Sequence, residues 1–195
     1  MQVKETSGLS KEQKELLSAA IRGSDEAYNP YFPLKVGAAV RMADGEMVVG
    51  GHSSYAVGGA SVCAERAVLY KLKPAQRENI EALAAYVWTP GGLSAVDVPV
   101  NSMTPCGVCR QAYAEVVFVS GRDIEYIGGA SSTDKVVIAT ISELLPNAYM
   151  SPTLIAKLQK PEKPILITRA LVPGPVEIVF EPEKPTERSG NRDSA

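Results

Sequence analysis

The sequence predicts an α/β sandwich built around one mixed sheet. Segments of helical period alternate along the chain with short apolar runs, in the order α-β-β-α-β-α-β-β with a closing helical turn. Glycine, proline and asparagine punctuate the joints, and no internal repeat is visible.

Ser10 is followed three residues later by Gln13, the spacing of a capping box. Leu16, Leu17, Ala20 and Ile21 then recur at helical period, so the first helix is expected over residues 10–27. Asn29-Pro30 and Phe32-Pro33 break it. Residues 36–42 are small and mostly apolar, as a buried strand is, and Asp44-Gly45 is a hairpin turn pair from which residues 46–51 run back. The Ser/Gly-rich stretch 51–62 has no period and reads as a loop. Residues 63–72 read as a helix that stops before Lys73-Pro74. A strand over 82–88 is closed by Pro90-Gly91-Gly92, and 93–103 reads as a loop. A third helix is expected over 106–119, strands over 124–127 and 136–139, and a helical turn over 141–145. From Met150 the composition shifts and prolines recur. The main domain is therefore expected over residues 1–150, followed by a proline-rich extension over 151–195. In that extension 165–167 and 176–180 suit strands or extended segments, and 187–195 is expected to be disordered.

The chain of 195 residues is 45% apolar, ordinary for a protein that builds its own core. Its 20 Lys and Arg nearly balance 22 Asp and Glu, which speaks against a broad basic footprint, so no nucleic-acid partner is expected. No apolar run approaches the roughly 18 residues of a membrane span, so no membrane partner is expected. Residues 1–12 are polar and lack the build of a secretory signal, which makes a cytoplasmic protein the expectation. The 3 cysteines are an odd count and do not describe a disulfide framework.

Cys106-Gly107-Val108-Cys109 is either a redox pair or half of a metal site. Cys63 completes a set of three thiolates, the usual number of protein ligands in a catalytic zinc site, with a fourth position left for water. Both cysteine segments fall at expected helix N-termini, where unpaired amides and the helix dipole favour anionic sulfur. Three thiolates on a dication leave about one negative charge, and Arg110, directly after Cys109, is the expected cation to offset it. Cys63-Ala64-Glu65 sets a carboxylate two residues after a ligand, placed to take a proton from an activated water and pass it to a substrate nitrogen. Zinc deaminases combine a His or Cys, one residue and a Glu with a later Pro-Cys-x-x-Cys. Here Pro105 precedes Cys106, and every cysteine of the chain falls in that one signature. A purely structural zinc site is the competing reading.

Cys63-Ala64-Glu65-Arg66, Thr104-Pro105-Cys106-Gly107-Val108-Cys109-Arg110-Gln111 and Glu143-Leu144-Leu145-Pro146 resemble the free-nucleoside cytidine deaminases and the related blasticidin-S deaminases. Tyr28-Asn29-Pro30-Tyr31 and Val36-Gly37-Ala38-Ala39 extend the resemblance, which spans about residues 10–149. It implies a three-layer α/β/α sandwich with a five-stranded mixed sheet. It further implies zinc, a homotetramer with active sites at subunit interfaces, and Arg110 as charge compensator. Tyr149 would close over the base, and backbone groups of Ala64 and Thr104 would meet the pyrimidine's polar edge.

The chain departs from that family at the sugar contacts. An Asn and a Glu that bind the ribose 3′-hydroxyl there are His52 and Ser54 here, the Phe that packs on the base is Leu34, and the Pro beside it is Lys35. Tyr55 lies in the same altered loop. A pocket built to pair a hydroxyl discriminates through that pair, so these changes leave the chemistry and alter the substrate's other half. Gly58-Gly59 before the first cysteine is shared with the blasticidin-S deaminases. The expected reaction is hydrolytic deamination of cytidine or deoxycytidine to the uridine product and ammonia. Three alternatives remain: deamination of a cytosine-nucleoside antibiotic such as blasticidin S or another modified nucleoside, deamination of a nucleic acid, and a non-catalytic zinc-binding protein.

Overall fold

The sheet has six strands where five were expected. The computed structural model describes residues 1–89 and 100–158. In chain order its elements are β1 (Gln2–Glu5), α1 (Lys11–Gly23), β2 (Lys35–Met42), β3 (Met47–Gly51), α2 (Ala64–Lys71), α3 (Pro74–Arg77), β4 (Ile80–Trp88), α4 (Gly107–Ser120), β5 (Glu125–Ala130), β6 (Thr133–Thr140), α5 (Ile141–Leu144) and α6 (Pro152–Leu158). The strand order is β1-β6-β5-β4-β2-β3, with β4 and β5 parallel and every other neighbouring pair antiparallel.

The additional strand is β1, which pairs with β6 from Gln2 opposite Ile138 to Glu5 opposite Lys135. All four of its residues are exposed, so it carries no alternation of apolar and polar side chains and is held by backbone pairing at an edge. The other expected elements are present with shifted ends. The capping box of α1 forms, with Gln13 N–H on Ser10 Oγ at 3.2 Å and Ser10 N–H on Gln13 Oε1 at 3.0 Å. That helix tightens into a 3₁₀ turn over Ser24–Glu26 instead of running to residue 27. Strands β5 and β6 are longer than their apolar stretches, α3 forms where the chain was expected only to stop, and α6 forms at the start of the extension. The stretches 165–167, 176–180 and 187–195 and most of the loop over 93–103 lie outside the described residues.

The strands alternate between two cores, as a period of two requires. Ala39, Ala82, Ala84 and Ile127 face α1, whose Leu16, Leu17, Ala19 and Ala20 are buried against them. Ala38, Val40, Leu83, Ala85 and Tyr126 face the opposite way, towards Ala64, Val68 and Leu69 of α2 and Tyr113 and Ala114 of α4. The result is three layers, α/β/α. Gly37 is required at its position in β2: a Cβ there would stand 2.1 Å from Ala20 O and 2.2 Å from Ser24 N. Its absence lets α1 lie directly on the sheet. Helix α4 is the crossover between parallel strands β4 and β5. Its N-terminus and that of α2 meet over one cavity.

Candidate active site

Cys63 is the N-cap residue of α2 and Cys106 the N-cap residue of α4, with Cys109 in the first turn of α4. Both segments therefore present sulfur where helix amides are unpaired. Cys63 Sγ lies 3.6 Å from Cys106 Sγ, which lies 3.4 Å from Cys109 Sγ, and all three sulfurs are within 4.8 Å of one another. Tetrahedral zinc with Zn–S bonds of about 2.3 Å needs sulfurs roughly 3.8 Å apart. The donor set is thus close to that geometry before any metal is bound, and it is the one such cluster of His, Cys, Asp and Glu among the described residues.

The protonation of the cluster is uneven. A hydrogen bond from Cys109, with others from Cys106 and Arg66, draws the Cys63 thiol down to about 5 against the burial that raises it. Cys109 is held well above the ordinary thiol range by the bond it gives Cys63, by its own burial and by the charges of Glu65 and Cys63. A dication bound by the sulfurs deprotonates all three.

Glu65 is 6% exposed, among the described polar side chains that are buried at all. Burial pushes its carboxyl up to about 7, helped by the Cys63 charge and opposed by hydrogen bonds from its own backbone and Cys109 and by the Arg66 charge. A carboxyl that takes up and releases a proton near neutrality suits general acid/base work.

A second cation, Arg66, stands beside the sulfurs in addition to the expected Arg110. Against the burial that opposes it, Tyr70, Cys63 and Cys109 raise the proton affinity of the Arg66 guanidinium, and its Nη2–H donates to Ser61 O at 3.3 Å. Arg110 is held by its own bonds: Nε–H donates to Pro105 O at 2.7 Å, Nη2–H to Thr104 Oγ1 at 2.7 Å and Nη1–H to Leu144 O at 3.4 Å. Arg66 follows Cys63 by three residues, one turn along α2, and Arg110 follows Cys106 by four, one turn along α4. The Cys63-to-Arg66 spacing was the available signal. Arg110 braces the Thr104-Pro105 segment that leads into Cys106.

Cys63, Ala64, Glu65, Arg66, Thr104 and Cys106 line a cavity of about 400 Å³ with His52, Ser53, Ser54 and Ser61. His52 is buried, and its Nδ1 accepts from Val36 N–H at 2.9 Å. The same nitrogen lies 3.4 Å from Val36 O, but that carbonyl already accepts from His52 N–H at 3.0 Å. Nδ1 is therefore the acceptor, and the ring proton sits on Nε2. Gly128 of β5 is required beneath the site, because a Cβ there would stand 1.8 Å from Met103 O.

Three of the expected substrate contacts lie outside the walls of this cavity. Tyr55 is half exposed and stacks against Tyr28, with ring centroids 5.6 Å apart. Leu34 is half-buried, its carbonyl accepting from Asn29 Nδ2–H at 3.1 Å. Tyr149 is 72% exposed, its backbone N–H held by Gln111 Oε1 at 3.0 Å.

Residues 10–120 match the family model for the cytidine and deoxycytidylate deaminase zinc-binding region. The chain is 33% identical over 134 residues to a cytidine deaminase of Halalkalibacterium halodurans, covering 69% of this chain and 91% of that protein. It is 32% identical over 117 residues to a blasticidin-S deaminase of Bacillus cereus, covering 58% of this chain and 76% of that one. Its fold is similar to the crystal structure of a cytidine deaminase from Burkholderia pseudomallei, with a TM-score of 0.55 at 27% identity, covering 72% of this chain and all of that one. The family model takes in both cysteine segments and the carboxylate between them, and the chain belongs to the cytidine deaminase family of zinc-dependent hydrolases.

Proposed function

We propose that this chain hydrolyses the exocyclic amine of a free cytosine nucleoside, cytidine or deoxycytidine, to give the uracil nucleoside and ammonia. The observation that carries this is Glu65, a buried carboxyl in the wall of the cavity that also holds Cys63 and Cys106. Cys63, Cys106 and Cys109 would hold the zinc, whose chemistry here is to acidify the attacking water. Glu65 takes a proton from that water and gives it to N3 of the ring. Oxygen adds to C4, the carbon–nitrogen bond to the amine breaks, and Glu65 delivers a second proton to the departing nitrogen. Ala64 and Thr104 stand in the wall to orient the base, with Arg110 fixing Thr104. Arg66 offsets the charge of the thiolates. We place the enzyme in the cytoplasm as a homotetramer, with Tyr55, Leu34 and Tyr149 reaching substrate only in the assembly.

The test is ammonia release from cytidine, deoxycytidine, blasticidin S and free cytosine by the zinc-loaded chain. Turnover of the first two, abolished in Glu65→Ala with zinc retained, is the expected result. Failure on both would overturn the reading.

A second reading is favoured by the cavity wall. Its acidic side chain is Glu65, and His52 and Ser54 stand where a sugar-binding Asn and Glu were expected. Among the described residues that wall holds no second carboxylate, which suits a decorated cytosine nucleoside, such as blasticidin S, and the same panel separates the two.

A further inference from the structure

Cys106 caps α4, Cys109 follows one turn on, and Tyr113 follows Cys109 by four residues. The helical repeat therefore sets two sulfurs and a phenol along one face. Tyr113 is fully buried, and its Oη–H donates to the backbone carbonyl of Glu65 at 3.0 Å. That bond joins the helix bearing Cys106 and Cys109 to the first turn of the helix that Cys63 caps. It ends on the Glu65 carbonyl and not on the carboxylate, so it fixes the main chain from which the carboxyl hangs and leaves the carboxyl free to move protons.

The hydroxyl has no second partner among the bonds of the described residues, and packing alone would be served as well by an apolar ring. Burial keeps the phenol protonated and hence a donor. On the opposite wall Tyr126 acts in the same manner, its Oη–H donating at 2.6 Å to the carbonyl of Met103, which leads into Thr104-Pro105-Cys106.

Resting on the reading of Glu65 as the proton carrier, we propose that Tyr113 is a positioning residue. Its phenol sets the register between the Glu65 segment and the Cys106–Cys109 turn. A proton carrier misplaced by about 1 Å costs on the order of 100-fold in rate, and this bond crosses directly between the two segments whose spacing matters.

Tyr113→Phe keeps the ring and deletes the oxygen. In the zinc-loaded full chain we expect kcat for cytidine to fall about 10-fold, with KM held within about twofold. Transfer of zinc to a chelator should quicken about 10-fold. Leu16→Ala, in α1 across the sheet, is the control: it should lower the melting temperature and move neither quantity. The proposal is overturned if Tyr113→Phe loses stability but keeps wild-type kcat and zinc release, or if Leu16→Ala moves them equally. Should the wild-type chain deaminate no cytosine nucleoside, the reading of function has failed. The zinc-release comparison then decides the register on its own, and an unchanged rate in Tyr113→Phe overturns it.

Discussion

The Nδ1 atom of His52 accepts a hydrogen bond from the N–H of Val36 at 2.9 Å. That bond assigns the ring tautomer with its proton on Nε2, a buried atom with no partner among the described residues. Because the chain has a single histidine, its long-range proton–nitrogen spectrum contains one imidazole. We expect that spectrum to show protonated Nε2 and bare Nδ1. A proton on Nδ1 would refute the arrangement.

The same wall predicts a gain of function. The double variant His52→Asn/Ser54→Glu restores an amide and a carboxylate where the family pairs the ribose hydroxyl. A hydrogen bond to a charged group is worth about 1.5–3 kcal/mol, so kcat/KM for cytidine should rise by at least about 10-fold. Steady-state kinetics on cytidine check this, and an unchanged or lower value would show that these positions do not meet the sugar.

The two arginines are separable by thiol chemistry. The charge of Arg66 acts on Cys63 and Cys109, whereas Arg110 hydrogen-bonds Pro105, Thr104 and Leu144. In the metal-free protein Arg66→Gln should raise the pH midpoint for alkylation of Cys63 above its value of about 5, and Arg110→Gln should leave it in place. With metal bound, Arg66→Gln should weaken zinc affinity by about 10-fold. Equal effects from the two variants would contradict the assignment.

Glu65 makes the metal-free fold sensitive to pH. Its carboxyl stands near 7 in the folded chain against an ordinary value of 4.5. The folded state holds that proton more tightly than the unfolded state. The stabilisation is therefore complete below pH 4.5 and is lost as pH rises through 7, by about 3 kcal/mol. Cys63 runs the other way, gaining stability from about 5 to 9.0. Subtracting the urea stability of Glu65→Gln from that of the wild type isolates the Glu65 contribution, and the difference should fall between pH 5 and pH 8. A flat difference would place Glu65 in water.

The contact of α1 with the sheet can be tested at one atom. Gly37→Ala puts a methyl group 2.1 Å from Ala20 O, in backbone that cannot step aside. We expect a loss of more than about 3 kcal/mol in urea unfolding. A loss below about 1 kcal/mol would show that α1 shifts freely on β2.

Most of the fold was legible because its signals are local. The Ser10/Gln13 box, the Asp44-Gly45 turn and the small apolar residues of β2 each declare an element within a few positions. Strand β1 was not legible, because its exposed residues bury nothing and its partner, β6, lies more than a hundred residues away. The sulfur cluster and Glu65 were legible from spacing alone. Arg66 was not singled out, although it follows Cys63 by one helical turn, because Arg110 follows Cys106 by one turn in the same way. Tyr113 gave no signal: a tyrosine at helical period reads as core, and only its hydroxyl's partner on α2 distinguishes it.

Cys63 and Cys106 lie 43 residues apart, and β4 runs between them. Helix α4 lies in the crossover between β4 and β5, and a parallel pairing that closes a long crossover forms slowly. The metal thus meets a nearly finished protein. Zinc should leave the refolding rate of the chain largely unchanged and act on the reverse step, slowing unfolding as a clasp fastened last.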